Sequence, residues 1–109
     1  MKTLELDTPA ASNKWWAAQD RRMRNVANAS LYTLKQRTRA IRMQDALAEV
    51  YNGRFFDEPN YGKRGISVKI ENPQIRDRKT LRSLEASYAA EGIIKKRTAQ
   101  GICYYIPAV

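Results

Sequence analysis

The sequence predicts an α+β fold, mainly α: a long N-terminal helix or helix pair, then a helix followed by a β-hairpin. Three observations carry that expectation. From Lys14 to Tyr51 there is neither proline nor glycine, and Ala, Arg, Gln, Leu and Met dominate; all are good helix formers. Leu81, Leu84 and Tyr88 then recur at helical spacing between Asp77 and Gly92, a capping residue and a helix stop. Finally, Ile102, Tyr104 and Ile106 alternate with Cys103 and Tyr105, the two-residue period of a strand.

The chain has 109 residues, the size of one domain. Residues 1–13 read as a flexible N-terminal arm, because Pro9 and its small neighbours show no period. Residues 14–109 then form a single compact domain: a basic helical region 14–51, a loop 52–65 and a second half 66–109. Ser12 or Asn13 would cap the first helix, and Asn28 or Ser30 a second one after a break over 25–30.

The apolar phase supports that break. Trp16, Met23 and Val26 fit one face, and Leu31, Leu34, Thr38 and Ile41 repeat at 3–4 spacing. Met43, Ala46, Leu47, Val50 and Tyr51 repeat it in a shifted phase. One straight helix cannot hold all of these on one stripe. It bends, or it buries two faces, one in its own domain and one against a partner; a second copy of this chain is the simplest partner. Asn52-Gly53 ends the region. The segment "RFFDEPNYGKRG" reads as loop, with Phe55 and Phe56 pinning it. "ISVKIEN" (66–72) reads either as a strand, from the alternation of Ile66, Val68 and Ile70, or as a helical turn capped by Ser67; Pro73 closes it. A helix from Arg78 to Glu91 follows, then a hairpin of 93–97 and 102–106 around "TAQG".

Composition excludes several functions. No histidine is present, so the commonest general base and zinc ligand are absent,. Asp57-Glu58 is the one tight acidic pair, with no nucleophile beside it. Lys69 lacks a carboxylate two positions earlier, and Gly62-Lys63 lacks the spacing of a phosphate loop,. The sequence therefore predicts no enzyme, no metal and no cofactor. The lone Cys103 forms no disulfide within the chain, and no apolar run reaches membrane-spanning length,. The expected protein is cytoplasmic or nucleoid-associated, not secreted and not in a membrane.

Charge points to the partner. Twenty Lys+Arg against eleven Asp+Glu give +9, a balance that suits a polyanion. The excess is concentrated. Residues 14–42 are net +7 and residues 61–84 net +5, separated by residues 43–60 at net −3. Nucleic acid is the expected partner, double-stranded DNA above others.

The stretch "TLRSLEASYAAEGIIKKRTAQGICYYI" places a helix, a glycine, a basic strand, a tight turn and a closing strand in that order. It resembles the C-terminal half of winged-helix DNA-binding domains, a pattern likeness over residues 66–106. The resemblance implies a recognition helix in the major groove and a basic wing on the backbone. On it, "ISVKIENPQI" would supply the preceding helix and turn, which Pro73 shortens. Arg78, Lys79, Arg82 and Ser83 would be the groove-facing residues, and Lys95, Lys96 and Arg97 the wing cations. The physical chemistry agrees: a helix fits the major groove, Arg pairs with guanine, and wing cations neutralise phosphate.

A second basic group spans "RRMRNVANASLYTLKQRTRAIR": Arg21, Arg22, Arg24, Lys35, Arg37, Arg39 and Arg42. Too few acids exist in the chain to pair most of them, so they are expected on phosphates. Trp15 and Trp16 point about 100° apart on a helix, so one is free to cover a partner or homodimer interface. The expected role is a transcriptional regulator or an accessory DNA-binding factor. Two other classes stay open on the sequence: an RNA-binding protein using an arginine-rich helix 21–42, and a non-enzymatic interaction or inhibitor protein, including one of viral origin.

Overall fold

The computed structural model describes residues 9–108, with side chains from Trp16 onward. Helix α1 (Pro9–Ala29) leads into α2 (Leu34–Val50). Strands β1 (Tyr51–Phe55), β2 (Asn60–Tyr61) and β3 (Gly65–Ile75) follow, then α3 (Arg78–Ala90), β4 (Ile94–Arg97) and β5 (Gly101–Pro107). The fold is α+β: three helices and one antiparallel sheet of order β1-β3-β5-β4, with β2 pairing to β3 beyond the end of β1.

The break in the N-terminal helical region lies at 30–33, later than the sequence suggests. Its cap is neither Asn28 nor Ser30. The Thr33 side chain accepts from the Gln36 backbone N–H, and the Gln36 side chain accepts from the Thr33 N–H, a reciprocal capping box. At its other end α1 begins at Pro9, where a fixed φ and a missing N–H suit a first helical turn,. Ser12 and Asn13 therefore lie inside the helix. Of the expected arm, residues 1–8 lie outside the described residues.

The apolar stripes of α2 resolve into two faces. Ala40, Met43, Leu47 and Val50 are fully buried, while Leu34 and Ile41 are exposed. The second phase in the sequence is thus the core, and the first faces outward. Full burial of each large side chain in that stripe contributes about 1.5–3 kcal/mol.

The expected loop 52–65 contains β1 and β2, which is a correction. Asn52-Gly53 does not end a helix; α2 stops at Val50, and a register shift between Asn52 and Arg54 bulges β1 against β3,. "ISVKIEN" is strand: β3 runs through the centre of the sheet between β1 and β5. It also continues past Pro73. The last β3–β5 pair is Glu71 with Gly101, so beyond it only β1 pairs with β3. A proline lacking an N–H is tolerated there, and Asn72 turns through φ 49° just before it.

Helix α3 forms as the sequence predicts. Asp77 caps it by accepting from the Thr80 backbone N–H (3.0 Å) and hydroxyl (2.6 Å). Gly92, at φ 82°, ends it,. Leu81 and Tyr88 are buried and Leu84 packs against the same cluster. That cluster joins α2 and α3 to one face of the sheet through Val68, Ile70, Ile102 and Tyr104. A smaller cluster of Tyr32, Ala40, Tyr61 and Ile66 continues it toward α1. Helix α1 is fastened there by Asn25. Its amide donates to Glu58 Oε1 (2.7 Å) and the Pro59 carbonyl (3.2 Å) and accepts from the Tyr61 N–H (2.6 Å).

Candidate nucleic-acid interface

Three surfaces gather the cations. The first is the N-terminal half of α3. Arg76, Arg78, Lys79, Arg82 and Ser83 are all exposed. None of the four cations meets a carboxylate among the described residues, where only Arg39, Arg54 and Lys95 do so. Asp77, the acid in their midst, is committed to its cap. The Thr80 hydroxyl, then the Thr80 backbone N–H, hold its carboxyl below the ordinary range, so it stays charged under the helix N-terminus. The opposite side of α3 is anchored by Leu81 and Tyr88, so the basic side is presented on a rigid element.

The wing cations do not act as a set. Strand alternation, fixed by the register of β4 on β5, divides them. Lys95 lies beside Tyr104, Lys96 beside Cys103 and Arg97 beside Ile102. Lys95 and Arg97 therefore share the helix-covered face with Tyr104 and Ile102, whereas Lys96 is on the other face. Lys95 turns inward to Glu85 of α3 (2.8 Å) and over the Tyr104 ring (5.8 Å). Burial lowers its pKa, but the Glu85 hydrogen bond and the neighbouring Tyr51 and Glu85 outweigh burial and leave it raised. It fastens α3 to the sheet. Arg97 is exposed on the α3 side, and Lys96 lies 5.5 Å from the Tyr105 ring centroid. The two basic edges of the helix–hairpin unit thus converge only in part.

The arginine-rich stretch is likewise divided. No single helix runs from 21 to 42; Arg21, Arg22 and Arg24 are exposed on α1, and the rest belong to α2. Arg39 is committed within the chain. Its guanidinium forms an ion pair with Glu91 and lies 5.5 Å from the Tyr88 ring centroid. Arg37 is half-buried near Tyr61, with its Nε buried and unbonded among the described residues. Lys35 and Arg42 stay exposed, at the rim of a groove of about 670 Å³ floored by Ile66, Ile93 and Ile106. Trp16 is exposed at 55 %; the Trp15 side chain lies outside the described residues.

The third surface is the face of the sheet turned away from the helices. Its cross-strand rows are Arg54 with Glu71, then Lys69, Cys103 and Lys96, then Ser67, Tyr105 and Ile94. The buried side chains of α2 and α3 cluster with residues of the opposite face. Lys69, Arg54 and Tyr105 are not among the binding residues that the sequence predicts. The signal was present: if Ile66, Val68 and Ile70 face the core, Ser67, Lys69 and Glu71 must face the other way.

Among the described residues no cluster of three or more acidic, cysteine or histidine side chains is placed to hold a metal ion, and no helix is long and apolar enough to cross a membrane. No family model, curated protein or solved structure matches the chain.

Proposed function

We propose that this protein binds double-stranded DNA, with the N-terminal half of α3 in the major groove, as a transcriptional regulator or accessory DNA-binding factor. One observation carries the reading: Arg76, Arg78, Lys79 and Arg82 stand exposed at one end of one helix, with no carboxylate partner among the described residues. A 13-residue helix is about 20 Å long, enough to cross a groove about 12 Å wide. Arg78 and Arg82 lie one turn apart and would reach base edges. Arg76 before the helix and Arg97 on β4 would take phosphates. The helix–hairpin order from α3 to β5 is that of the winged-helix class. What precedes α3 is a strand rather than a helix, so the reading rests on the chemistry of α3 more than on the resemblance.

Arg82→Ala tests it. Against a duplex selected for tight binding, affinity should fall by about 1–3 kcal/mol with relaxed discrimination at one base pair. Fluorescence anisotropy on selected and random duplexes measures both. An equal loss on every sequence would place Arg82 on the backbone and remove groove readout.

A further inference from the structure

The open face of the sheet carries chemistry that the duplex reading leaves unused. At its centre Lys69 and Lys96 flank Cys103 on adjacent strands. Two interstrand spacings set their backbones about 10 Å apart. Opposite charges set across neighbouring strands stabilise a sheet; here each lysine stands opposite Cys103, and the row holds two cations and no acid. Among the strand residues of these rows the acid is Glu71, which is 3.8 Å from Arg54.

Beside that row lies Tyr105. A Cβ built on Gly65 would meet the Tyr105 Cζ and hydroxyl oxygen, each at 2.6 Å, so the Tyr105 side chain leans along the sheet with its phenol end over the glycine. The Tyr105 hydroxyl donates to the Arg64 carbonyl (2.7 Å) and fixes the ring in place. Ser67 on one side is small, and Ile94 on the other is 43 % exposed. Cations bracket the ring, Lys96 over it and exposed Arg64 in the turn at its hydroxyl end.

Edge protection explains part of this arrangement. Charged residues on an outer strand such as β4 block pairing with another sheet. That purpose does not reach Lys69, which stands on the central strand. An aromatic ring held along the sheet between cations is instead the arrangement on which an unstacked base lies while its phosphates are neutralised. A duplex keeps its bases stacked and offers the ring nothing. We therefore infer that this face binds single-stranded nucleic acid, with a base on Tyr105 and flanking phosphates on Lys69 and Lys96. The site is separate from α3, and the inference stands whether or not α3 reads duplex DNA.

The test is anisotropy with fluorescein-labelled oligo-dT and oligo-rU of about a dozen nucleotides, and with a random duplex, at several salt concentrations. Wild-type protein should bind the single strands. Lys69→Glu combined with Lys96→Glu should weaken that binding roughly tenfold or more and flatten the log–log salt slope by about 1.4, the value for two phosphates on a single strand. Duplex affinity should change much less. Arg78→Glu with Arg82→Glu should do the reverse, so failure at α3 and failure at the sheet are distinguishable. Tyr105→Leu should lose roughly tenfold on single strands, and Tyr105→Phe, which keeps the ring and loses only its anchor to the Arg64 carbonyl, should retain most of the binding. A preference between dT and rU assigns the natural strand as DNA or RNA. Absence of single-strand binding by wild-type protein, or equal losses on both substrates from the lysine pair, overturns the inference.

Discussion

Tyr104 shows how far one side chain sets this molecule. It is 1 % exposed at the centre of β5. Its hydroxyl lies 3.0 Å from that of Tyr51 and donates to Glu85 (2.9 Å), which also holds Lys95. Strand, helix and edge lysine meet in one polar chain inside an apolar cluster. Burial, then the hydrogen bonds to Tyr51 and Glu85, push the Tyr104 pKa well above its usual 10.0. The folded protein therefore holds this proton at pH values where the unfolded chain has released it, and stability must fall as pH rises through 10. Lys95 adds to the same trend, since its raised pKa keeps a proton above 10.5 only in the folded state. Tyr104→Phe should cost about 1–3 kcal/mol at neutral pH, because Tyr51 and Glu85 lose a partner. It should also flatten the alkaline decline. Urea unfolding of both proteins at pH 8, 10 and 11 measures the two effects; parallel declines would show that Tyr104 does not govern the slope. This residue's place was half legible. The alternation from Ile102 to Ile106 put it inward, but its partner Tyr51 read as a helix end. The inward turn of Lys95 could not be read from "IKKR", because it depends on Glu85 arriving from another element.

Among the elements, legibility follows whether the signals are local. The cap of α3, its apolar face and its stop lie within sixteen residues, from Asp77 to Gly92, and all were readable. The hairpin of β4 and β5 was readable for the same reason. Strand β1 was not. "YNGRF" has no alternating pattern, and it becomes a strand because β3 offers an edge to pair with, a non-local fact. The division of the basic region into α1 and α2 was readable from apolar phase, but its position is set by the Thr33–Gln36 capping box. That cap gives an element-scale prediction. Thr33→Ala removes the oxygen that accepts from the Gln36 N–H and should destabilise the protein by about 1 kcal/mol. The loss should concentrate in the first turn of α2. Hydrogen exchange should therefore quicken at residues 34–37 and stay unchanged in α3; uniform quickening would show that α2 does not open independently.

At the scale of the whole molecule, the fold redistributes what the sequence displays as two basic blocks. The block at 14–42 is divided between α1 and the rim of α2, and part of it is neutralised by Glu91. The block at 61–84 is divided between the open sheet, which takes Lys69, and the tip of α3, which takes Arg78, Lys79 and Arg82. Total charge was legible and its direction was not, because direction depends on which face of β3 turns away from the helices. The distinction has a measurable consequence. Each duplex phosphate neutralised contributes about −0.9 to the slope of log affinity against log salt. If cations of α1, α3 and the sheet together neutralised about nine phosphates, the slope would approach about −8. A duplex held at the α3 end meets Arg76, Arg78, Lys79, Arg82 and the exposed Arg97, of which two are expected on bases. Its slope should then lie between about −3 and −5. Titrations of one duplex from low to physiological salt decide the matter. A slope near −8 would mean that the α1 and sheet cations share the same duplex. In that case α3 would be one contact among several, and charge reversal at Arg78 and Arg82 would weaken duplex binding without abolishing it.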